Sequence, residues 1–199
     1  MTLFRLLPAT SPISISVNDT LLLRSPQLND FEQWSALRSA SRLFLAPWEP
    51  VWPEDDLTQA GYRRRVSRYE KERAGDLTYA VFLFRQPDDA LLGGIVLSNV
   101  RRGVSQAGTL GYWIGAPHAR QGYMTAALHT FCRYAFMKWH LERLEAAAQP
   151  DNTFSIKLLQ RLGFQEEGQA RSYLRIAGER RNHILFALLP DDLKKAKTA

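Results

Sequence analysis

The period of the apolar positions changes several times along the chain, and each change marks an element. Leu21, Leu22 and Leu23 run together before Arg24, which predicts a short strand over Leu21–Arg24. Phe31, Trp34 and Leu37 then recur at helical spacing behind Asn29 and Asp30. Either residue can cap a helix, so a helix is expected to about Ser41. Pro47, Pro50 and Pro53 break any continuation and punctuate a loop that carries Phe44, Trp48 and Trp52. A second helix is expected from about Glu54 to Arg73, bearing the basic run Arg63–Arg65. Strands then follow at Thr78–Arg85 and Leu91–Val100, joined by a Pro87–Asp88–Asp89 turn, and at Thr109–Gly115. Gly108 and Gly111 leave room there for a bulge or a close backbone approach.

Met124, Leu128, Phe131, Ala135 and Trp139 return to a three-to-four spacing, which predicts a helix over about Arg120–Trp139 with one buried face. Leu144, Ala146 and Ala148 alternate, as a strand over Arg143–Ala148 would. A short helix over Thr153–Leu162 ends at Gly163. Phe164 onward through Ile176, and then Arg180–Leu189, read as two strands turning at Ala177–Gly178. Residues 1–18 read as a tail or a loose edge, 19–190 as the folded domain and 191–199 as a polar tail. The order is strand, two helices, three strands, helix, strand, helix, two strands. That is a mixed α/β (α+β) domain with a mainly antiparallel sheet.

Composition narrows the picture. A chain of 199 residues with 45% hydrophobic content is enough for one well-filled core. A formal charge of +6 suits an acidic partner such as a phosphorylated cofactor or RNA, and equally suits a solvated basic surface. Read the same two ways, Arg63–Arg65 could touch RNA or simply face water. The single cysteine, Cys132, sits among Phe131, Tyr134 and Phe136 and reads as a buried thiol. It excludes an internal disulfide and a cysteine-based zinc site. His118, His129, His140 and His183 are too dispersed to suggest a metal set, so no metal is expected. No apolar run approaches the ~20 residues of a membrane span. Pro8 and Pro12 interrupt the N-terminal leucines, which excludes a signal peptide, so a cytoplasmic protein without membrane contact is expected.

The segment His118–Ala127 carries the most chemistry. A helix start leaves backbone N–H groups without partners, and the helix dipole adds to their pull on an anion. Gly122 permits close approach or a positive φ, Arg120 adds charge, and Thr125 adds a hydroxyl. By itself this describes a pyrophosphate-sized anion site, and an ordinary loop entering a helix shares the same features.

The neighbouring motifs add a resemblance. Gly111-Tyr112-Trp113-Ile114-Gly115, then His118-Ala119-Arg120-Gln121-Gly122-Tyr123-Met124-Thr125, then Pro150-Asp151-Asn152-Thr153-Phe154-Ser155 through Leu162-Gly163-Phe164, resemble the GNAT acetyltransferases. Leu22-Leu23-Arg24-Ser25-Pro26, Pro47-Trp48-Glu49-Pro50 and Ser172-Tyr173-Leu174-Arg175-Ile176-Ala177-Gly178 resemble its ribosomal-protein-alanine N-acetyltransferase (RimJ-like) branch. The resemblance spans residues 20–189. It departs in the phosphate loop, usually Gln/Arg-x-x-Gly-x-Gly/Ala, whose key positions fall here on Ala119, Gly122 and Met124.

The resemblance implies a central mixed, mostly antiparallel sheet with a splayed pair of strands and flanking helices. It implies acetyl-CoA as co-substrate, with the pantetheine arm against the backbone of Trp113, Ile114 and Gly115. Arg120, Gln121, Gly122, Tyr123, Met124 and Thr125 would hold the pyrophosphate. Asn152 would contact the cofactor arm, and Ser155 would serve the departing thiolate. Asn152 also suits a helix N-cap, and Ser155 a first-turn backbone partner. In one close branch of the family a glutamate stands where this chain has Ser172, so Glu49 becomes the next candidate base, and Tyr173 a candidate acceptor-site residue or a core aromatic. Glu49 reads equally as a surface carboxylate in a proline turn. Trp48 and Trp52 could wall an acceptor cleft or close over the core, and His118 reads as a packing residue at a turn.

The implied acceptor is the N-terminal α-amine of a protein, a ribosomal protein by resemblance, with transient ribosome contact. An α-amine titrates ~2.6 units below lysine, so several hundred-fold more of it is neutral near pH 7, and a weak base suffices. A small amine (an amino acid, a polyamine, an antibiotic) and a non-catalytic CoA- or ribosome-binding role are the alternatives.

Overall fold

The computed structural model describes residues 11–195. The elements in order are β1 (Ser14–Asn18), β2 (Leu21–Arg24), α1 (Phe31–Ala40), α2 (Arg42–Leu45) and α3 (Gln59–Ala74). There follow β3 (Tyr79–Arg85), β4 (Ala90–Arg101), β5 (Ala107–Ile114), α4 (Tyr123–Lys138) and β6 (Arg143–Ala148). The chain continues as α5 (Thr153–Arg161), β7 (Gln165–Ile176), β8 (Glu179–Leu188) and α6 (Pro190–Lys195). All eight strands join one sheet in the order β1-β2-β3-β4-β5-β6-β8-β7. Every junction is antiparallel except β5 with β6.

Each face of the sheet has its own core. On one, α4 buries Met124, Leu128, Phe131 and Ala135, the stripe its spacing requires, against Leu23, Leu83, Ile95 and Leu144. Trp139 lies just past the helix end, half-buried, stacked on Tyr79 at 3.9 Å and edge-on to Phe131 at 5.4 Å. On the opposite face Trp34 of α1 and Tyr62 and Val66 of α3 pack against Phe82, Phe84 and Leu91. Cys132 is buried without exposure, and burial pushes its thiol well above the ordinary range. It is a core residue.

Several boundaries differ from expectation, each because of a pairing, a burial or a cap. Ser14–Asn18 pairs with β2, within the segment expected as a tail or loose edge, and residues 1–10 of that segment lie outside the described residues. Pro190–Lys195 forms a short helix that buries Leu193, where a tail was expected; residues 196–199 lie outside the description. α3 starts at Gln59 because Thr58 caps it, its hydroxyl accepting from Gly61 N–H at 3.1 Å. Asp55 and Asp56, left in the preceding turn, pair with Arg64 and Arg65. Two of the three arginines of the basic run are thereby neutralised locally.

The single parallel junction creates the site. β5 and β6 pair only where Ala107–Leu110 meets Arg143–Ala146. Beyond that point Gly111–Ile114 stays with β4, and Ala147–Ala148 stays with β8. The two strands splay and a gap opens through the sheet.

Candidate active site

A cleft of about 550 Å³ occupies this gap. Tyr112, the loop 118–122, the start of α4 and one side of α5 line it on one face of the sheet. Phe44, Leu45, Trp48, Glu49 and His183 line it on the other. Two tethers hold the α1–α2 segment and its following loop across it: Ala116 N–H donates to Ser41 Oγ at 2.9 Å, and Gln149 Nε2 donates to the Pro47 carbonyl at 2.9 Å.

The backbone at the gap has a definite polarity. Gly115 N–H donates to the Leu92 carbonyl at 2.8 Å, and the Gly115 carbonyl accepts from His118 N–H. Main-chain direction alternates along a strand, so Trp113 and Gly111 also point their amides at β4. Of Trp113, Ile114 and Gly115, the structure therefore leaves only Ile114 with main-chain groups facing the gap. Tyr112 joins it. The Trp113 indole turns to the α1 face, edge-on to Phe82 at 6.5 Å. A Cβ on Gly111 would stand in open space within the cleft, consistent with close approach of a ligand there.

The helix expected from Arg120 begins instead at Tyr123, because both Arg120 (φ 60°) and Gly122 (φ 82°) are left-handed. Gly122 adopts this geometry without strain, and it places the uncapped first N–H groups of α4 at the cleft. No side chain among the described residues caps them, so the donors can serve an anion. Gln121 Nε2 donates back to the Pro117 carbonyl at 2.9 Å and braces the loop. Arg120 lies over the exposed Phe154 ring, 5.1 Å from its centre. Met124 is buried while Tyr123 and Thr125 are half-buried, and all three line the cleft. His118 is also in the lining, and burial and Arg85 hold its imidazole below the ordinary value.

Asn152 caps α5, its Oδ1 accepting from Ser155 N–H at 3.1 Å, and it borders the cleft. That cap aims the Ser155 hydroxyl at Tyr112, and the two oxygens are 2.6 Å apart. Burial pushes the Tyr112 phenol up to about 12, with the Ser155 hydrogen bond offsetting part of the rise. The pair is thus a protonated, internally hydrogen-bonded donor at neutral pH. Tyr112 was not singled out from sequence, although it sits inside the Gly111–Gly115 motif. Its signal was the alternation that places it beside the gap.

Glu49 is in the cleft lining but is already engaged. Arg38 grips it with two hydrogen bonds of 2.8 and 2.7 Å, and Trp52 Nε1 donates to it at 2.7 Å. Arg38 in turn lies against the Trp52 and Trp113 rings, 4.1 and 4.9 Å from their centres. Trp52 therefore serves the loop's anchor, and Trp48 lines the cleft itself. Tyr173 is exposed, outside the cleft lining, and edge-on to His183 at 5.7 Å. Lys157 and Arg161, one turn apart on α5, border the cleft with no carboxylate partner among the described residues. Among those residues no cluster of His, Cys, Asp and Glu suits a metal ion, and no helix is long and apolar enough to cross a membrane.

Comparison with known proteins places this geometry in context. The acetyltransferase (GNAT) domain family matches residues 20–165. The [ribosomal protein uS5]-alanine N-acetyltransferase of Escherichia coli (strain K12) is 34% identical over 174 residues, covering 87% of this chain and 90% of that protein. The ribosomal-protein-S5-alanine acetyltransferase from Vibrio fischeri superposes with a TM-score of 0.84 at 28% identity, covering 91% of this chain and 98% of that one. Mycobacterium smegmatis RimJ in complex with CoA-disulfide gives the same TM-score and identity, covering 94% of this chain and 89% of that one.

Proposed function

The chain belongs to the GNAT acetyltransferase family, and from that premise we propose that it transfers acetyl from acetyl-CoA to the N-terminal α-amine of a protein, a ribosomal protein foremost. It is an N-acetyltransferase. The finer reading rests on the substrates in the names of the E. coli and V. fischeri relatives. One observation carries it: the cleft opens on both faces of the sheet, with the Tyr112–Ser155 hydroxyl pair on one side and the Glu49 loop on the other. A peptide end can enter from the Glu49 side while the donor lies against α4 and α5.

Acetyl-CoA supplies an activated acetyl group as a thioester. The free N–H groups of α4, with Arg120 and Thr125, suit its pyrophosphate. The unpaired main chain of Tyr112 and Ile114 suits its amide-bearing arm, with Asn152 beside it. The Tyr112–Ser155 pair is placed to give the departing sulfur a proton. A carboxylate offers about four acceptor positions, and Arg38 and Trp52 fill three of Glu49's. Glu49 therefore positions the acceptor amine. Tyr173, at the rim beyond His183, borders the incoming chain. The +6 charge favours transient contact with the ribosome.

Reversing Lys157 and Arg161 to glutamate is expected to raise the dissociation constant for CoA about tenfold or more at low salt, with the gap narrowing in high salt. Calorimetry at two ionic strengths measures it. The acceptor reading is tested by CoA release with peptides beginning in Ala or Ser against a panel of amino acids, polyamines and aminoglycosides. Turnover confined to small amines would redirect the function. Thermal stabilisation by acetyl-CoA without turnover on any amine would make the chain a binding module.

A further inference from the structure

His183 of β8 lines the cleft. Ala148 of β6 pairs with Ile184 of β8, so the next pair outward is Gln149 and His183. Ala146, Ala148, Phe186 and Leu188 pack into the core beneath α4. Side chains alternate along a strand, so Gln149 and His183 turn to the opposite face, where the acceptor enters. The hydrogen bond from Gln149 to the Pro47 carbonyl fixes that face independently. His183 is only 3% exposed and is one of the residues lining the cleft.

The state of the ring follows from its one partner. Nδ1 lies 3.1 Å from the Arg181 carbonyl oxygen. A carbonyl can only accept, so Nδ1 carries the hydrogen, and in the neutral ring Nε2 presents a lone pair. Among the described residues no group bonds to Nε2. Tyr173 packs edge-on against the ring and holds its plane. Ser172 sits across the β7–β8 irregularity from this residue, its N–H held by Asn182 Oδ1 at 2.9 Å.

We propose that His183 Nε2 is the general base of the reaction, a role that rests on the acetyl-transfer reading above. The neutral acceptor nitrogen bonds to the thioester carbonyl carbon and sheds one proton to Nε2, the C–S bond breaks, and sulfur leaves with the proton of the Tyr112–Ser155 pair. Solvent then takes the proton from Nε2 and restores the hydroxyl pair, so the net change is one proton moved from amine to thiol. Acid and base stand on opposite faces of the sheet with the gap between them. Donor and acceptor therefore enter without crossing.

His183→Asn keeps an N–H for the Arg181 carbonyl and removes the base. It is expected to lower kcat on an N-terminal peptide about 100-fold with CoA affinity within about twofold. His183→Ala should regain turnover when imidazole is added. In the wild-type enzyme, long-range proton–nitrogen NMR should report Nδ1 protonated and Nε2 bare, with the Nε2 signal moving on addition of the acceptor peptide. A kcat within about threefold of wild type in His183→Asn overturns the proposal. So does an alanine variant that folds, binds CoA and ignores imidazole, or an Nε2 that is protonated in the neutral ring. If wild type acetylates no amine while the NMR signature is present, the acetyl-transfer reading fails and the base assignment falls with it.

Discussion

Replacing Tyr112 with phenylalanine is expected to lower turnover on an N-terminal peptide by about 100- to 1000-fold while leaving CoA affinity nearly unchanged. The phenol is 2.6 Å from the Ser155 hydroxyl, and burial keeps it protonated far above neutral pH. Its ring would remain in place in the variant, so the cleft wall and the β5 backbone that faces the gap are preserved. What is lost is the proton and the orientation of Ser155. Because the two hydroxyls act through one hydrogen bond, Ser155→Ala should cost a similar factor, and the double variant should be little worse than either single one. Single-turnover rates and CoA dissociation constants for the three variants check this. A loss below tenfold for Tyr112→Phe, or losses that multiply in the double variant, would remove the pair from the chemistry.

Replacing Arg38 with leucine is expected to lower folding stability by about 3 kcal/mol. The pair it forms with Glu49 is mostly withdrawn from water, with side-chain exposures of 8% and 20%. Removing the guanidinium leaves the Glu49 carboxylate with the Trp52 donor alone, and removes the cation between the Trp52 and Trp113 rings. The Glu49 carbonyl also accepts from Ala177 N–H, so the loop ties the α1 side of the cleft to the β7–β8 hairpin. Loosening it should raise KM for the acceptor more than it lowers kcat. A denaturant midpoint that falls with an unchanged slope measures the stability term. A loss under about 1 kcal/mol would mean the pair behaves as a solvent-screened surface contact.

Much of the fold was legible because its strongest signals are local. The Met124–Ala135 stripe, the Leu144–Ala146–Ala148 alternation and the Asn152 cap each depend on residues within a few positions, and each takes the expected form. The misplaced boundaries depend on partners elsewhere. Ser14–Asn18 is a strand because β2 offers an edge, and Glu54–Thr58 stays out of α3 because Thr58 caps the helix and Asp55 and Asp56 meet arginines nine residues on. In the site, the place of the loop 118–122 and of Ser155 in the cleft lining could be read from spacing and resemblance. Glu49 could be named, but its engagement with Arg38, eleven residues away through a proline loop, could not. Tyr112 and His183 reach the cleft because two strands part at Leu110 and Ala146, a feature of pairing that no single stretch of sequence contains.

Acetylation of an α-amine is the reaction proposed for this cleft. Its most direct test is a single peptide carrying both a free N-terminal alanine and an internal lysine, incubated with acetyl-CoA and mapped by tandem mass spectrometry. Acetyl is expected on the α-nitrogen alone, with one CoA released for each peptide modified. Acetyl on the lysine nitrogen, or CoA bound tightly with neither amine modified, would contradict it.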